Sequence, residues 1–331
     1  MRKNAVRITL VGGLVFAFCL VWMTALPQNS SAGSLSTAVV GMFPKNVGEF
    51  AYADMKAARK FPWFPQIREQ LLPSRFRQFE QFLVSAGIDP NTQVDEMAWA
   101  GITAPKGGEQ IVGVALGSFD PSSAETRFKS QKLPMFDVRG YHLYAFGSGQ
   151  AANDILFTFI DSNTAAFGHR EALEQLIAVR MGDTQGLMSN SQLFPLINET
   201  NGSGFIWAVL NQNYTHLAMQ QLMPQTSQFP QAAAIVQRMQ AMTISIQGDS
   251  DIDAQFQAVC SSPDDANVLA AALQAGILYR RYQEAQANPA LAGALDQVQV
   301  TPSGNRLKID APLSQEEITS LIQSKVFVVK M

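Results

Sequence analysis

The stretch VDEMAWAGITAPKGGEQIVGVALGSFDP, residues 94–121, indicates the fold of this chain. Its two apolar segments, Val94–Ile102 and Gln110–Leu116, flank a Gly-Gly pair, which is the pattern of two antiparallel strands joined by a turn. Asp120 and Pro121 follow, and this pairing of an N-cap residue with a proline in the first turn is typical of a helix start. The stretch therefore predicts two strands followed by a helix.

The residues on either side extend this pattern into a complete unit. Phe50–Ala53 predicts a strand, and the helical region after it is broken by prolines. Its second piece, Phe76–Ala86, has phenylalanines at helical spacing and ends at Gly87. After the central stretch, the pattern predicts three strands and a helix: Tyr141–Phe146, Asn153–Ile160, Ala165–Phe167 and Arg170–Arg180.

The second half of the chain shows the same order of signals. Ser262-Pro263 follows a strand pair as Asp120-Pro121 does, and Ser314 begins a capping box with Glu317. The predicted strands of this half are Phe205–Leu210, Met242–Gln247, Ile252–Val259, Val298–Thr301 and Arg306–Ile309. We therefore predict an α+β fold of two repeated β-α-β-β-α-β(β)-α units with mainly antiparallel sheets. The units cover residues 46–190 and 203–331, with a boundary between 181 and 204.

The N-terminal segment Ile8–Leu26 contains no charged residue, and Arg2, Lys3 and Arg7 precede it. As a helix it is about 28 Å long, close to the thickness of the bilayer hydrocarbon. Residues 1–32 are therefore predicted to form a membrane anchor or a signal peptide, followed by a linker over 33–45. The length favours an anchor, whereas the small residues Ser30-Ser31-Ala32 suit cleavage after Ala32.

Composition bounds the class of partner. Subtracting the three N-terminal cations from 24 basic residues leaves 21 against 27 acidic residues, a net charge of −6 for the body. This balance argues against a nucleic-acid partner. Since Cys19 lies in the apolar segment and Cys260 is the other cysteine, no disulfide within the body is expected.

Motifs that carry chemistry are missing from the sequence, so no catalytic, cofactor-binding or metal-binding residue is predicted. Asp249–Asp253 begins like a calcium loop but lacks its glycine and its final glutamate, so a hairpin turn is the better interpretation. His142, His169 and Glu171 would form a metal site only if their elements were neighbours. Cys260 is expected to be a small core residue.

The segment Phe61-Pro62-Trp63-Phe64-Pro65 concentrates three large aromatic residues. Two interpretations remain open for Phe61, Trp63 and Phe64. They pack over the sheet as a local staple, or they form an exposed contact patch for a protein partner or the bilayer surface.

Four short features together suggest a relationship: the strand and helix start at Phe50–Met55, the turn Ala86–Pro90, the strand residues Trp99-Ala100-Gly101 and the late strand Gly304–Leu307. With the N-terminal export segment, they resemble uncharacterised exported bacterial proteins, including acidobacterial ones. The resemblance spans about residues 45–325 and implies a location in the bacterial envelope and a non-enzymatic protein. It assigns no functional residue.

From these observations we expect a membrane-tethered, extracytoplasmic, non-catalytic binding or scaffold protein. It would be a single-pass inner-membrane protein with a periplasmic body, or a periplasmic protein after cleavage near Ala32. Its partners would be the membrane, through the N-terminal helix, and a protein of the envelope. The alternative is an envelope enzyme of hydrolase type with a dispersed active site between the two halves.

Overall fold

The structure, a computed structural model, describes residues 33–71, 74–103, 108–151, 154–222, 234, 236–249 and 251–323. These residues form two compact units. The first comprises the described residues of Ser31–Pro62 and Leu72–Val209, and the second those of Trp63–Leu71 and Leu210–Met331. Each unit has a hydrophobic core of its own.

The apolar segment Ile8–Leu26 lies outside the described residues, so its role as anchor or signal stays a prediction. Within the described ranges, no helix combines the length and the apolar character that a membrane crossing requires.

The sheet of the first unit is built from β1 (Val47–Asp54), β2 (Val94–Thr103), β3 (Glu109–Gly117), β4 (Met135–Val138), β5 (Tyr141–Phe146), β6 (Ile155–Phe159), β7 (Thr164–His169) and β8 (Ile206–Asn211), which reaches the unit boundary. The strand order is β8-β1-β2-β3-β7-β6-β5-β4. In this strand order, every pair of neighbouring strands after β8, from β1-β2 through β5-β4, is antiparallel. The α+β class with a mainly antiparallel sheet is thus confirmed.

Helices cover both faces of this sheet. They are α1 (Thr37–Val40), α2 (Met55–Ala58), α4 (Ser74–Ser85), α5 (Pro90–Gln93), α6 (Pro121–Ser130), α7 (Arg170–Arg180) and α8 (Leu193–Thr200). The helix α3 (Phe64–Leu71) belongs to the second unit. Alternation along the strands sends neighbouring residues to two cores. Leu156 of β6 joins the core that contains α7 and α8, whereas Phe157 joins the core that contains α4 and α6. In the first of these cores, Trp207 stacks on Tyr52 with ring centroids 5.5 Å apart.

The second unit contains β9 (Met239–Gly248), β10 (Ile252–Cys260), β11 (Gln299–Ser303) and β12 (Arg306–Leu313), with α9 (Gln212–Leu222), α10 (Pro263–Ala287), α11 (Pro289–Asp296) and α12 (Gln315–Gln323). These strands lie in the order β11-β12-β10-β9 and are antiparallel. The core between strands and helices includes Met239, Cys260, Leu269 and Leu307. The burial of Cys260 confirms its interpretation as a core residue.

Three helices, α6, α10 and α12, begin at the side-chain caps that were predicted from the sequence. Asp120 Oδ1 accepts a hydrogen bond from the Ser123 amide at 3.0 Å, which begins α6. Ser262 Oγ accepts one from the Asp265 amide at 3.1 Å, which begins α10. The predicted capping box is confirmed, because Ser314 and Glu317 satisfy each other's amides.

Three stretches differ from the prediction, two of them because apolar residues are buried there. Residues 33–45, predicted as a linker, contribute buried Leu35, Val40 and Phe43 to the first core. The predicted boundary stretch 181–204 contains α8, whose Leu193 and Ile197 pack into the same core. The short strand β4 was missed, since its four residues give too little alternation to recognise.

The two units show corresponding sequences of elements. In the first, the hairpin β2-β3 is followed by α6, and the later strand β7 pairs with β3 and leads into α7. In the second, the hairpin β9-β10 is followed by α10, and the later strand β12 pairs with β10 and leads into α12. Whether this correspondence amounts to an internal repeat stays a prediction.

Candidate functional site

The aromatic segment is buried at each of its three large residues. Phe61 stacks on Phe205 within the first unit, with ring centroids 4.9 Å apart. Trp63 and Phe64 belong to the second unit and lie at the start of α3, where their exposed fractions are 3% and 6%. This burial agrees with the staple interpretation, while a role for the three residues as a contact patch stays a prediction.

The histidines lie in separate surroundings. His142 Nδ1 is 3.4 Å from Glu125 Oε2. The buried His169 uses Nδ1 to accept a hydrogen bond from the Ile111 amide at 2.8 Å. Glu171 accepts a hydrogen bond from a glutamine instead. Among the described residues, no three metal-ligating side chains come together as a cation site.

Two aspartates of the β9-β10 hairpin, Asp251 in the turn and Asp253 in β10, have structural partners. Asp253 Oδ2 accepts hydrogen bonds from Gln247 and Gln255 at 3.1 and 3.2 Å. Asp251 Oδ1 accepts one from the Gln315 amide at 3.1 Å, at the start of α12. All three hydrogen bonds agree with a hairpin rather than a calcium loop.

A pair of glutamates with raised pKa values was not singled out from the sequence. Glu49 of β1 is wholly buried, and neither carboxyl oxygen has a hydrogen-bond partner among the residues that the structure describes. Burial raises the pKa of Glu49 to about 8, with a further contribution from the charge of Glu109. Burial raises the pKa of Glu109, at the start of β3, to about 7. Glu49 is therefore neutral over most of the physiological pH range.

The sequence carries one signal for Glu49. It is the only charged residue before Asp54 in the strand VGEFAYAD, whose other members are apolar or aromatic. A strand buried on both faces reads as a continuous apolar run. A charge inside such a run could have been recognised as a buried titratable group.

An open cleft of about 780 Å³ lies on the first unit, and most of its lining residues have polar side chains. Three segments line it: the loop before β1, one position of α7 and the loop that leads to α8. The lining residues are Pro44, Lys45, Asn46, Gln175, Thr184, Gln185, Asn190, Ser191 and Gln192.

Backbone contacts hold the two loops of the cleft together. The Leu187 amide donates to the Phe43 carbonyl at 2.7 Å, and the Lys45 amide donates to the Gln185 carbonyl at 3.2 Å. Asn190 Nδ2 donates to the Lys45 carbonyl at 2.9 Å. Since Phe43 and Leu187 are wholly buried, the loops rest on the core, and the cleft is built on a rigid base.

Asn190 also organises the helix beside the cleft. Its Oδ1 accepts hydrogen bonds from the amides of Gln192 at 3.0 Å and Leu193 at 2.9 Å. These two hydrogen bonds fix the backbone of the loop that leads into α8.

Lys45 supplies the cation of the cleft. Its Nζ donates to Gln185 Oε1 at 3.0 Å, and no described acid pairs with it. The other polar lining residues carry amides or hydroxyls, which both donate and accept hydrogen bonds. This arrangement can hold a polar ligand that carries one negative charge. No local sequence pattern indicates this cleft, because its lining residues come from segments far apart in the chain.

Comparison with protein-family models and with curated proteins gave no match. Among solved structures, crystal forms I and IV of TP0453 are similar to this chain with TM-scores of 0.49. They are 11% and 10% identical to it, covering 88% and 87% of this chain and 98% and 97% of their own. Similarity at this level carries no argument about this chain.

Proposed function

We propose that this chain is an exported, membrane-tethered, non-catalytic binding protein of the bacterial envelope. Arg2, Lys3 and Arg7 ahead of the uncharged segment Ile8–Leu26 support export, because cations on that flank stay in the cytoplasm while the body crosses. On the features that it shares with them, we also place the chain with the uncharacterised exported bacterial proteins that it resembles. Cleavage near Ala32 would release the same body into the periplasm.

We infer that the cleft of the first unit is the binding site and that its ligand is a small polar molecule with one carboxylate. The observation that carries this inference is Lys45, whose Nζ is bound only by the neutral oxygen of Gln185 among the described residues. A carboxylate can therefore replace a neutral partner without breaking an ion pair. The surrounding amides and hydroxyls would hydrogen-bond the rest of the ligand.

The test is titration calorimetry of the protein with a panel of sugar acids and N-acetylated amino acids. Because Lys45 is exposed, its ion pair with a carboxylate contributes about 0.2–1 kcal/mol, so Lys45→Met should weaken the best binder by up to about fivefold. Lys60→Met, at an exposed lysine outside the cleft, is the matched control and should bind like the wild type. No binding by any panel member, or equal binding by Lys45→Met, would contradict the proposal.

A second candidate, an envelope enzyme of hydrolase type, is favoured by the raised pKa values of Glu49 and Glu109. Perturbed carboxyl groups are enriched at active sites, although structural acids show the same shifts. Glu109 is the accessible member of the pair, because it is only partly buried. A hydrolysis assay with ester and amide substrates decides: activity lost in Glu109→Gln, with an unchanged melting temperature, would favour the enzyme.

A further inference from the structure

Two carboxylates of the first unit face each other across neighbouring strands. Asp54, the last residue of β1, lies directly opposite Glu96 of β2 in the strand register. Like charges at directly opposite positions destabilise a sheet. Neither carboxylate forms an ion pair with a residue that the structure describes. The pair therefore lacks a described cation that would offset its repulsion.

The surroundings of Glu96 favour a positively charged partner. Burial raises the pKa of Glu96, against the opposing effect of the Tyr52 hydroxyl. The charges of Asp54 and Asp95 raise it further. Asp95 has a cation of its own, because its Oδ1 is 3.8 Å from Arg59 Nη2. A cation placed between Asp54 and Glu96 would remove the repulsion that remains.

Asp54 and Tyr52 add two further oxygens on the same face of the sheet, since residues two apart on a strand point the same way. Asp54 Oδ1 accepts a hydrogen bond from the Ala57 amide at 2.7 Å, which leaves Oδ2 for another partner. Tyr52 is wholly buried, and its hydroxyl lies beside Glu96 without a well-aligned hydrogen-bond partner among the described residues. We call Tyr52, Asp54 and Glu96 the acidic site.

Gly33, the first residue that the structure describes, lies against the acidic site. A Cβ at Gly33 would be 2.5 Å from Tyr52 Oη and 2.9 Å from Asp54 Oδ2. These distances are too short for a side chain, so the close approach requires a glycine. Standard bond lengths then place the nitrogen of Gly33 at most about 6 Å from both oxygens.

Leu35 fixes the position of Gly33. The Leu35 amide donates to Asn201 Oδ1 at 2.9 Å, and Asn201 Nδ2 donates to the Leu35 carbonyl at 2.9 Å. The side chain of Leu35 is buried in the first core. Gly33 is therefore only two residues from an anchored position, and the body of the chain holds it beside the acidic site.

The sequence before Gly33 suits cleavage at this residue. Ser30 and Ala32 supply the small side chains that leader cleavage requires. Hydrolysis of the bond between Ala32 and Gly33 consumes one water and leaves a carboxylate on Ala32 and an amine on Gly33. An α-amino group has a pKa of about 7.7–8.0, so this amine takes up a proton at pH 7 and becomes a cation.

We propose that a leader peptidase of the envelope cleaves the chain after Ala32 and that the α-ammonium of Gly33 then binds in the acidic site. A primary ammonium has three N–H donors, and the acidic site offers three acceptors: Asp54 Oδ2, the Glu96 carboxylate and the Tyr52 hydroxyl. The inference rests on the export in the proposed function, and the membrane-tethered chain is then the precursor of a released body.

Mass spectrometry of the full chain, expressed in a bacterium and recovered from its envelope, tests the cleavage. The body should begin at Gly33. Ala32→Leu sets a large neutral residue at the cleavage position and should keep the body on the membrane. An exported body that begins at any other residue would overturn this proposal and leave the export intact. A chain that stays in the cytoplasm with its N-terminal segment would contradict the export and this proposal together.

Neutralising Glu96 tests whether the ammonium binds there, with each variant compared with its own parent. In the cleaved chain, Glu96→Gln removes an ion pair and should lower the melting temperature by at least about 2 °C. In the Ala32→Leu chain, the same substitution relieves only the repulsion from Asp54 and should not lower it. Asp95→Asn, at a carboxylate paired with Arg59, is the matched control and should act equally in both forms. If Glu96→Gln lowers the melting temperature in both forms, or in neither, the ammonium does not bind in the acidic site.

Discussion

Glu49 shows how a single residue can make the stability of the first unit depend on pH. Its pKa is raised from 4.5 to about 8 by burial, and that of Glu109 is raised to about 7. Between about pH 4.5 and 8 the folded state binds more protons than the unfolded state. The free energy of unfolding should therefore be highest at acidic pH and fall as pH rises through this window.

The variant Glu49→Gln should remove most of this dependence. A neutral amide has no proton to lose, so the variant should be more stable than the wild type at pH 9 by several kcal/mol, with about 1.4 kcal/mol for each pKa unit. Urea unfolding at pH 5.5, 7 and 9 measures it. Glu171→Gln, at an exposed glutamate, is the control and should keep the wild-type dependence. A wild-type stability that rises between pH 5.5 and 9 would contradict the account.

Trp63 separates the two interpretations of the aromatic segment. Because Trp63 is a buried large aromatic residue, Trp63→Ala should lower the free energy of unfolding by about 3 to 5 kcal/mol. The melting temperature should then fall by several degrees. A contact patch would instead leave folding within about 0.5 kcal/mol and reduce association with a partner or membrane. Thermal unfolding and membrane flotation of wild type and Trp63→Ala distinguish these outcomes. We expect the destabilising result.

At the scale of the element, the N-cap of α10 was predicted from the sequence, and its contribution to the free energy of unfolding can be measured. Ser262 Oγ accepts a hydrogen bond from the Asp265 amide at 3.1 Å and donates one to Asp265 Oδ2 at 2.8 Å. Ser262→Ala should therefore cost about 1 kcal/mol or somewhat more in urea unfolding. Ser123→Ala, an exposed serine in the first turn of α6, should change stability by less than about 0.5 kcal/mol. Equal effects of the two substitutions would show that the cap of α10 contributes nothing.

Elements that begin with a side-chain cap or alternate over six or more residues could be predicted from the sequence. The strand Tyr141–Phe146 has its predicted bounds, and α6 and α10 begin at the predicted caps Asp120 and Ser262. Caps and strand alternation depend only on residues that are close together in the sequence. The helix α8 was missed because it begins after Asn190 and Gln192 in a stretch rich in polar residues, and only its packing shows that Leu193 is core.

The candidate site could not be predicted, for a related reason. Lys45 and Gln185 are 140 positions apart, and their contact depends on the core that brings the two loops together. The buried Glu49 was closer to prediction, because its strand is otherwise uncharged. What the sequence could not supply is the packing that removes both carboxyl oxygens from water.

At the scale of the whole molecule, we predict that the two halves of the chain repeat one fold. We expect residues 48–181 to superpose on 203–325 over the first strand, its helix, the following strand pair and the next helix, in the same order and direction. A crystal structure of the protein gives this comparison. Different strand orders in the two halves would remove the repeat.

The central claim is that the body of this chain works outside the cytoplasm. A reporter that is active only outside the cytoplasm, fused after Met331, tests it most directly. The account predicts an active fusion, and weaker activity when Arg2, Lys3 and Arg7 are changed to Glu, because these cations orient the N-terminal segment. An inactive fusion at normal expression would contradict the claim.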